Sequence, residues 1–199
     1  MISLLLGHGK TPGWFALAGL PLVYIGAYMA LDQFVISEVE VRLGSIATLS
    51  KEYAHIDLTL NDRSCIAALF ASVLMQLGTF YVYLIFSCLA GGINNETPRS
   101  ERPTSGFLGR LFSAHQNQIE SLSGFAAAIF AVIFTSPSSG IFTSSTASAG
   151  RVAAIAWTHV LSRSVYWLMY ALNLPSLRTF SYVMSVICII MLFLHALQH

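Results

Sequence analysis

The chain has 199 residues, of which 55% are hydrophobic and 10% charged, and its mean hydropathy is +0.68. A soluble domain of this length carries more charge, so the composition points to an integral membrane protein. A formal net charge of +1 gives no electrostatic reason to expect nucleic acid or an acidic partner.

Five apolar runs follow one another: Trp14 to Phe34, Ile66 to Ala90, Ala114 to Phe134, Val152 to Leu172, and Leu177 to Leu197. Each is about 20 residues or more, enough for a helix to cross a hydrocarbon core of roughly 30 Å. The expected fold class is therefore an all-α integral membrane protein with five spanning helices. Pro21 falls inside the first run, where neighbouring helices can satisfy the carbonyl it frees. That run exceeds a signal-peptide core and lacks a small-residue cleavage pattern, so it reads as a span. Cys65, Cys88 and Cys188 lie in or beside apolar runs without CxxC pairing, which suggests packing residues and neither a disulfide framework nor a metal site.

The connections differ. Residues 35–65 mix acids and bases, with Ile36, Val39, Val41 and Leu43 permitting a short interfacial element. Residues 91–112 form a Gly/Pro-rich turn region leading into a helix, and Ser136 to Gly150 is a small-residue loop. Asn173, Leu174, Pro175 and Ser176 leave room only for a tight turn, so the last two helices make an antiparallel hairpin. With the N-terminus on side A, that side holds Lys10, Arg99, Arg102 and Arg110, while side B holds Arg42, Lys51, Arg63 and Arg151. Positive charge does not choose the orientation.

Helical spacing then arranges the polar residues. Arg110, Ser113, Asn117 and Glu120 share one face of the third helix; His159, Arg163, Tyr166 and Tyr170 share a face of the fourth, and Arg178 begins the fifth. Arg163 is about 9 residues from its helix end and so roughly 13 Å deep at 1.5 Å per residue. Ionised groups facing lipid are costly, so the stripes turn inward or toward a wet cavity. Two uses are open to them: a ligand pocket facing side A, or a structural ion pair between Glu120 and Arg163 that fixes helix packing. Tyr166 and Tyr170 also suit an interfacial belt, Arg178 a snorkelling position, and His115, at a helix start, a surface position.

AHQNQIE followed by an apolar run is similar to the second-helix signature of the MAPEG superfamily, the membrane-associated proteins of eicosanoid and glutathione metabolism, whose enzymes read approximately ERxxRAxxNxxE. SRSVYWLMYALNLPSLRTFSY likewise resembles the family order of Arg, Tyr, Tyr, and an Arg after a short turn. The resemblance spans approximately residues 66 to 197. It implies a four-helix MAPEG-like bundle over residues 66–199, preceded by an additional N-terminal transmembrane helix and connecting loop in residues 1–65.

The resemblance also implies a homotrimer binding glutathione between subunits, in an endoplasmic reticulum or other internal membrane if the source is eukaryotic. Arg110, Asn117, Glu120, Arg163, Tyr166 and Tyr170 would hold the glutathione cosubstrate. Arg178, Tyr170 and Glu120 would carry catalysis, with Arg178 stabilising the thiolate. The implied activity is a glutathione-dependent transferase, isomerase or peroxidase acting on a lipophilic substrate. Ser113 stands where the pattern has its second Arg, and Gly109 where it has Glu. These departures favour an alternative, a glutathione-independent isomerase or cyclase of lipid or secondary metabolism with Glu120 as acid or base. A non-catalytic membrane subunit is a third possibility. Asn95-Glu96-Thr97 is a glycosylation sequon that this topology places in the cytosol, unmodified.

Overall fold

The computed structural model of the protein describes residues 29–42, 62–90, 103, 105–135 and 147–198. Most of the first apolar run, the sequon and residues 136–146 of the Ser-rich segment lie outside the described residues. The described chain is helical: α1 covers 29–42 with a π-helical middle at Leu31–Ile36, followed by α2, Asp62–Leu89, and α3, Gly106–Thr135. Helices α4, Ala147–Ala171, and α5, Pro175–Leu197, complete the bundle.

Several boundaries move from those expected. Helix α1 runs through Phe34 to residue 42, so residues 35–42 continue a helix that the sequence reading ended at 34. Helix α3 begins at Gly106, eight residues before Ala114, because Phe107, Leu108, Leu111 and Phe112 add amphipathic turns ahead of the apolar run. The positive φ of 70° at Gly106 suits glycine and marks the bend from which α3 starts.

By length and composition three helices can cross a membrane: Ser64–Leu89, Gly106–Thr135 and Pro175–Leu197. Helix α4 falls short of that measure, because Arg151, His159 and Arg163 punctuate it. Its place in the bundle explains how it carries them. Helix α4 packs against each of α1, α2, α3 and α5, and its pairing with α5 is the most extensive.

Small residues make this central position possible. Ala153, Ala154 and Ala156 on α4, Ala68 and Ser72 on α2, Ala128 on α3 and Ser185 on α5 are all fully buried. Without a hydrophobic driving force between helices in lipid, such residues favour association by letting backbones approach closely. The core between them is filled by Phe125, Ile129, Ile155, Ile187 and Leu192, with Cys65 and Cys188 packed among them. Leu74, Leu77 and Phe70 on α2, Phe130 and Phe134 on α3, and Phe193 and Leu194 on α5 face outward instead. That exposed apolar surface suits a bilayer.

The α4–α5 corner is the tight turn expected. The Leu174 amide donates to the Met169 carbonyl at 2.9 Å and the Asn173 amide to the Tyr170 carbonyl at 3.2 Å, a Schellman closure with Asn173 at φ 60°. Pro175 then opens α5 at a position where its missing N–H leaves no bond unmade. At the other end of α4, Arg151 pairs with Asp32, tying α1 to the bundle, while Ile36 of α1 is buried in the core.

Candidate functional site

The polar centre is built from three helices around Arg163, which is fully buried. Its Nε donates to Gln118 Oε1 at 2.9 Å and its Nη2 to the Asn117 carbonyl at 2.7 Å. Gln118 Nε2 in turn donates to Ser72 Oγ at 3.3 Å, so one connected chain of hydrogen bonds joins α2, α3 and α4. Arg163 Nη1 is buried and has no acceptor among the described residues. The guanidinium also lies over the Tyr166 ring, with Cζ 4.3 Å from its centroid.

From Arg163 the arrangement continues toward the α4–α5 corner. Tyr166 and Tyr170 meet edge to face at 5.6 Å, and Arg178 places its Cζ 4.5 Å from the Tyr170 centroid. Tyr182 of α5 joins at 6.0 Å from the Tyr166 ring. Arginine and tyrosine thus alternate along one wall: Arg163, Tyr166, Tyr170, Arg178. One turn of spacing on α4 and a two-helix corner produce this order, which delivers two cations and two phenols to one side of the bundle.

The third-helix stripe divides. Arg110 is half-buried, with Cζ 5.9 Å from the Phe107 ring and a buried Nε that has no acceptor among the described residues. It makes no contact with the Arg163 wall. Asn117 joins that wall through its backbone carbonyl, while its side-chain Nδ2 donates to the Ser113 carbonyl at 2.8 Å. Glu120 is exposed and forms no ion pair with Arg163. The structural Glu120–Arg163 pair is therefore replaced by neutral acceptors, which hold the guanidinium without burying a carboxylate.

Two residues of the same stretch carry more of the interior than expected. His115, read as a surface position, is buried: its Nδ1 lies 3.2 Å from Thr79 Oγ1 and its ring 5.2 Å from Phe80. The Thr79 hydroxyl donates its single proton to the Gln76 carbonyl at 2.9 Å, so it accepts from His115 Nδ1–H. Gln118 is buried and holds Arg163. A usable signal was present: Leu111, Gln118, Phe125 and Val132 recur every seven residues, and all four face inward.

Deeper in the bundle, His159 stacks on Phe125 at 4.0 Å with the ring planes 13° apart. Its Nδ1–H donates to the Ser185 carbonyl at 3.0 Å, and Nε2 is buried without a partner among the described residues. His159, Arg163 and Tyr166 are all buried on one face of α4, as their spacing implied, whereas Tyr170 is half-buried near the corner.

Comparison with known proteins bears on the whole of this region. The model of the MAPEG family matches residues 64–198, covering α2 to α5 and every residue of the polar wall. No curated protein and no solved structure matches the chain. The match extends over well over half of the sequence, and the helical bundle agrees with an all-α membrane fold: the chain belongs to the MAPEG family.

Proposed function

We propose that the protein is a glutathione-dependent membrane enzyme, a transferase, isomerase or peroxidase, that acts on a lipophilic substrate and assembles as a homotrimer. The observation that carries this reading is the wall in which Arg163 and Arg178 each lie over a tyrosine, with the rings of Tyr166 and Tyr170 in edge contact. Glutathione, when bound, supplies a thiol that can attack an electrophilic carbon of the lipophile. The wall matches the remaining chemistry of that molecule. Arg163 keeps one buried guanidinium nitrogen without an acceptor, suited to a carboxylate. Arg178, half-buried at the corner, supplies the positive charge that favours an ionised sulfur, and Tyr170 a hydroxyl beside it. Glu120 and the side of α3 that bears it stay exposed in the single chain, where they can meet a neighbouring subunit or the ligand's ammonium group.

One observation favours a second reading, a glutathione-independent isomerase or cyclase on the same scaffold. Asn117 spends its side-chain N–H on the Ser113 carbonyl, and Ser113 itself stands where the family signature has Arg. In that reading Glu120 serves as acid or base.

A thermal shift of the detergent-purified protein distinguishes the two. Ligand that binds only the folded state adds RT ln(1 + [L]/Kd), about 2.7 kcal/mol at a hundredfold excess over Kd. The expected result is a raised Tm with millimolar glutathione, lost in Arg178→Ala. An unchanged Tm in the wild type rejects the glutathione reading and leaves the second.

A further inference from the structure

Beside the polar wall, on the other flank of α4, lies a groove between α2 and α4. Its volume is about 300 Å³, and it is lined by Met75, Gly78, Thr79, Val82, Ser164 and Trp167. Helices α2 and α4 pack directly against each other, so both walls come from rigid elements. Its flanks in sequence, Leu74 and Leu77 on α2 and Val165 and Leu168 on α4, are exposed and apolar, so the groove opens onto the surface suited to lipid tails.

Its polar groups are almost all committed. The Thr79 hydroxyl donates to the Gln76 carbonyl and accepts from His115, and the Ser164 hydroxyl donates to the Val160 carbonyl at 3.0 Å with Met75 Sδ 3.2 Å away. Trp167 is the exception: its Nε1 is buried and has no acceptor among the described residues. Buried indole N–H groups ordinarily find a partner, and hydrocarbon offers no water to serve as one. The groove therefore complements a slender apolar molecule that carries a hydrogen-bond acceptor. Gly78 adds a shape argument, because a Cβ built there meets nothing within 4 Å. The space beside it is groove, and no protein atom fills it.

We propose that this groove is a binding site for one acyl chain of a membrane lipid, whose ester or amide carbonyl accepts a hydrogen bond from Trp167 Nε1–H. A volume near the lower end of the range for ligand pockets suits a single chain. The site is separate from the Arg163–Arg178 wall and does not depend on what that wall binds.

The test uses the full chain in phosphatidylcholine vesicles doped with a phosphatidylcholine that carries a photoactivatable group in one acyl chain. After irradiation, peptide mapping should find adducts concentrated on Met75, Val82 and Trp167. Gly78→Leu, which fills the groove, should lower that labelling about tenfold, and Trp167→Phe, which keeps the ring but loses the donor, about threefold. Gly78→Ala serves as the fold control: it replaces a helix-interior glycine where the added methyl has room, so Tm should hold or rise. Labelling spread evenly over the outward residues of α2 and α4, and unchanged in Gly78→Leu, would overturn the proposal in favour of bulk boundary lipid. Adducts to a second copy of the chain would overturn it in favour of a subunit contact, and equal labelling by a photoactivatable sterol would remove the preference for an acyl chain.

Discussion

Helices α2 and α4 belong to one bundle and stand in opposite relation to it. Helix α2 is apolar enough to span by composition, yet Phe70, Leu74, Leu77 and Tyr81 all face outward. Helix α4 falls short by composition, yet it is the element every other described helix touches, and it buries His159 and Arg163 completely. Hydropathy thus reports how much of a helix meets lipid, and a helix wrapped by its neighbours is free to carry polar cargo if they satisfy it. Gln118 and the Asn117 carbonyl provide that satisfaction for Arg163, as the Ser185 carbonyl does for His159.

If α4 is the interior and α2 the lipid face, substitutions should divide accordingly. The largest effect is expected from Phe125→Ala, which removes the ring stacked on His159 and leaves a cavity at a fully buried position. A loss of about 4 kcal/mol should register in reversible unfolding from mixed micelles. Next comes Gln118→Leu, which strips an acceptor from Arg163 and a donor from Ser72; about 2 kcal/mol is expected, with much of it recovered in Gln118→Glu, whose carboxylate still accepts from Arg163. Smallest is Leu77→Ala on the exposed face of α2, with less than about 0.5 kcal/mol expected by the same measurement. A Leu77→Ala loss as large as that of Phe125→Ala would break the comparison and place α2 against protein in the assembled state.

The helical architecture could be read from apolar runs because crossing lipid demands one long uninterrupted pattern per segment. The helix ends could not, since Gly106 to Phe112 is amphipathic and looks like a loop beside the run that follows it. The α4 face was legible for the same reason that its corner was: His159, Arg163 and Tyr166 are local in sequence, and Asn173-Leu174-Pro175 is local turn chemistry. The α3 face was chosen by charge, which favoured Asn117 and Glu120, and that choice is about a quarter turn from the face the bundle buries. His115 and Gln118 are held by Thr79 and Ser72, partners 36 and 46 residues away on another helix. No local spacing encodes such a pairing, although the seven-residue recurrence through Leu111, Gln118, Phe125 and Val132 marks the face that makes it.

The Schellman corner after α4 has a consequence for how the polar wall can vary. Asn173 holds the left-handed conformation, Leu174 closes back on Met169, and Pro175 starts α5 at once, so no slack separates Tyr170 from Arg178. The corner works like a keyed shaft coupling. Inserting one residue would turn α5 by about 100° relative to α4 and swing Arg178 away from the Tyr170 ring. Reach of the terminal cation is thereby written into the length of a loop, and change in that loop retunes the wall without altering any of the side chains that compose it.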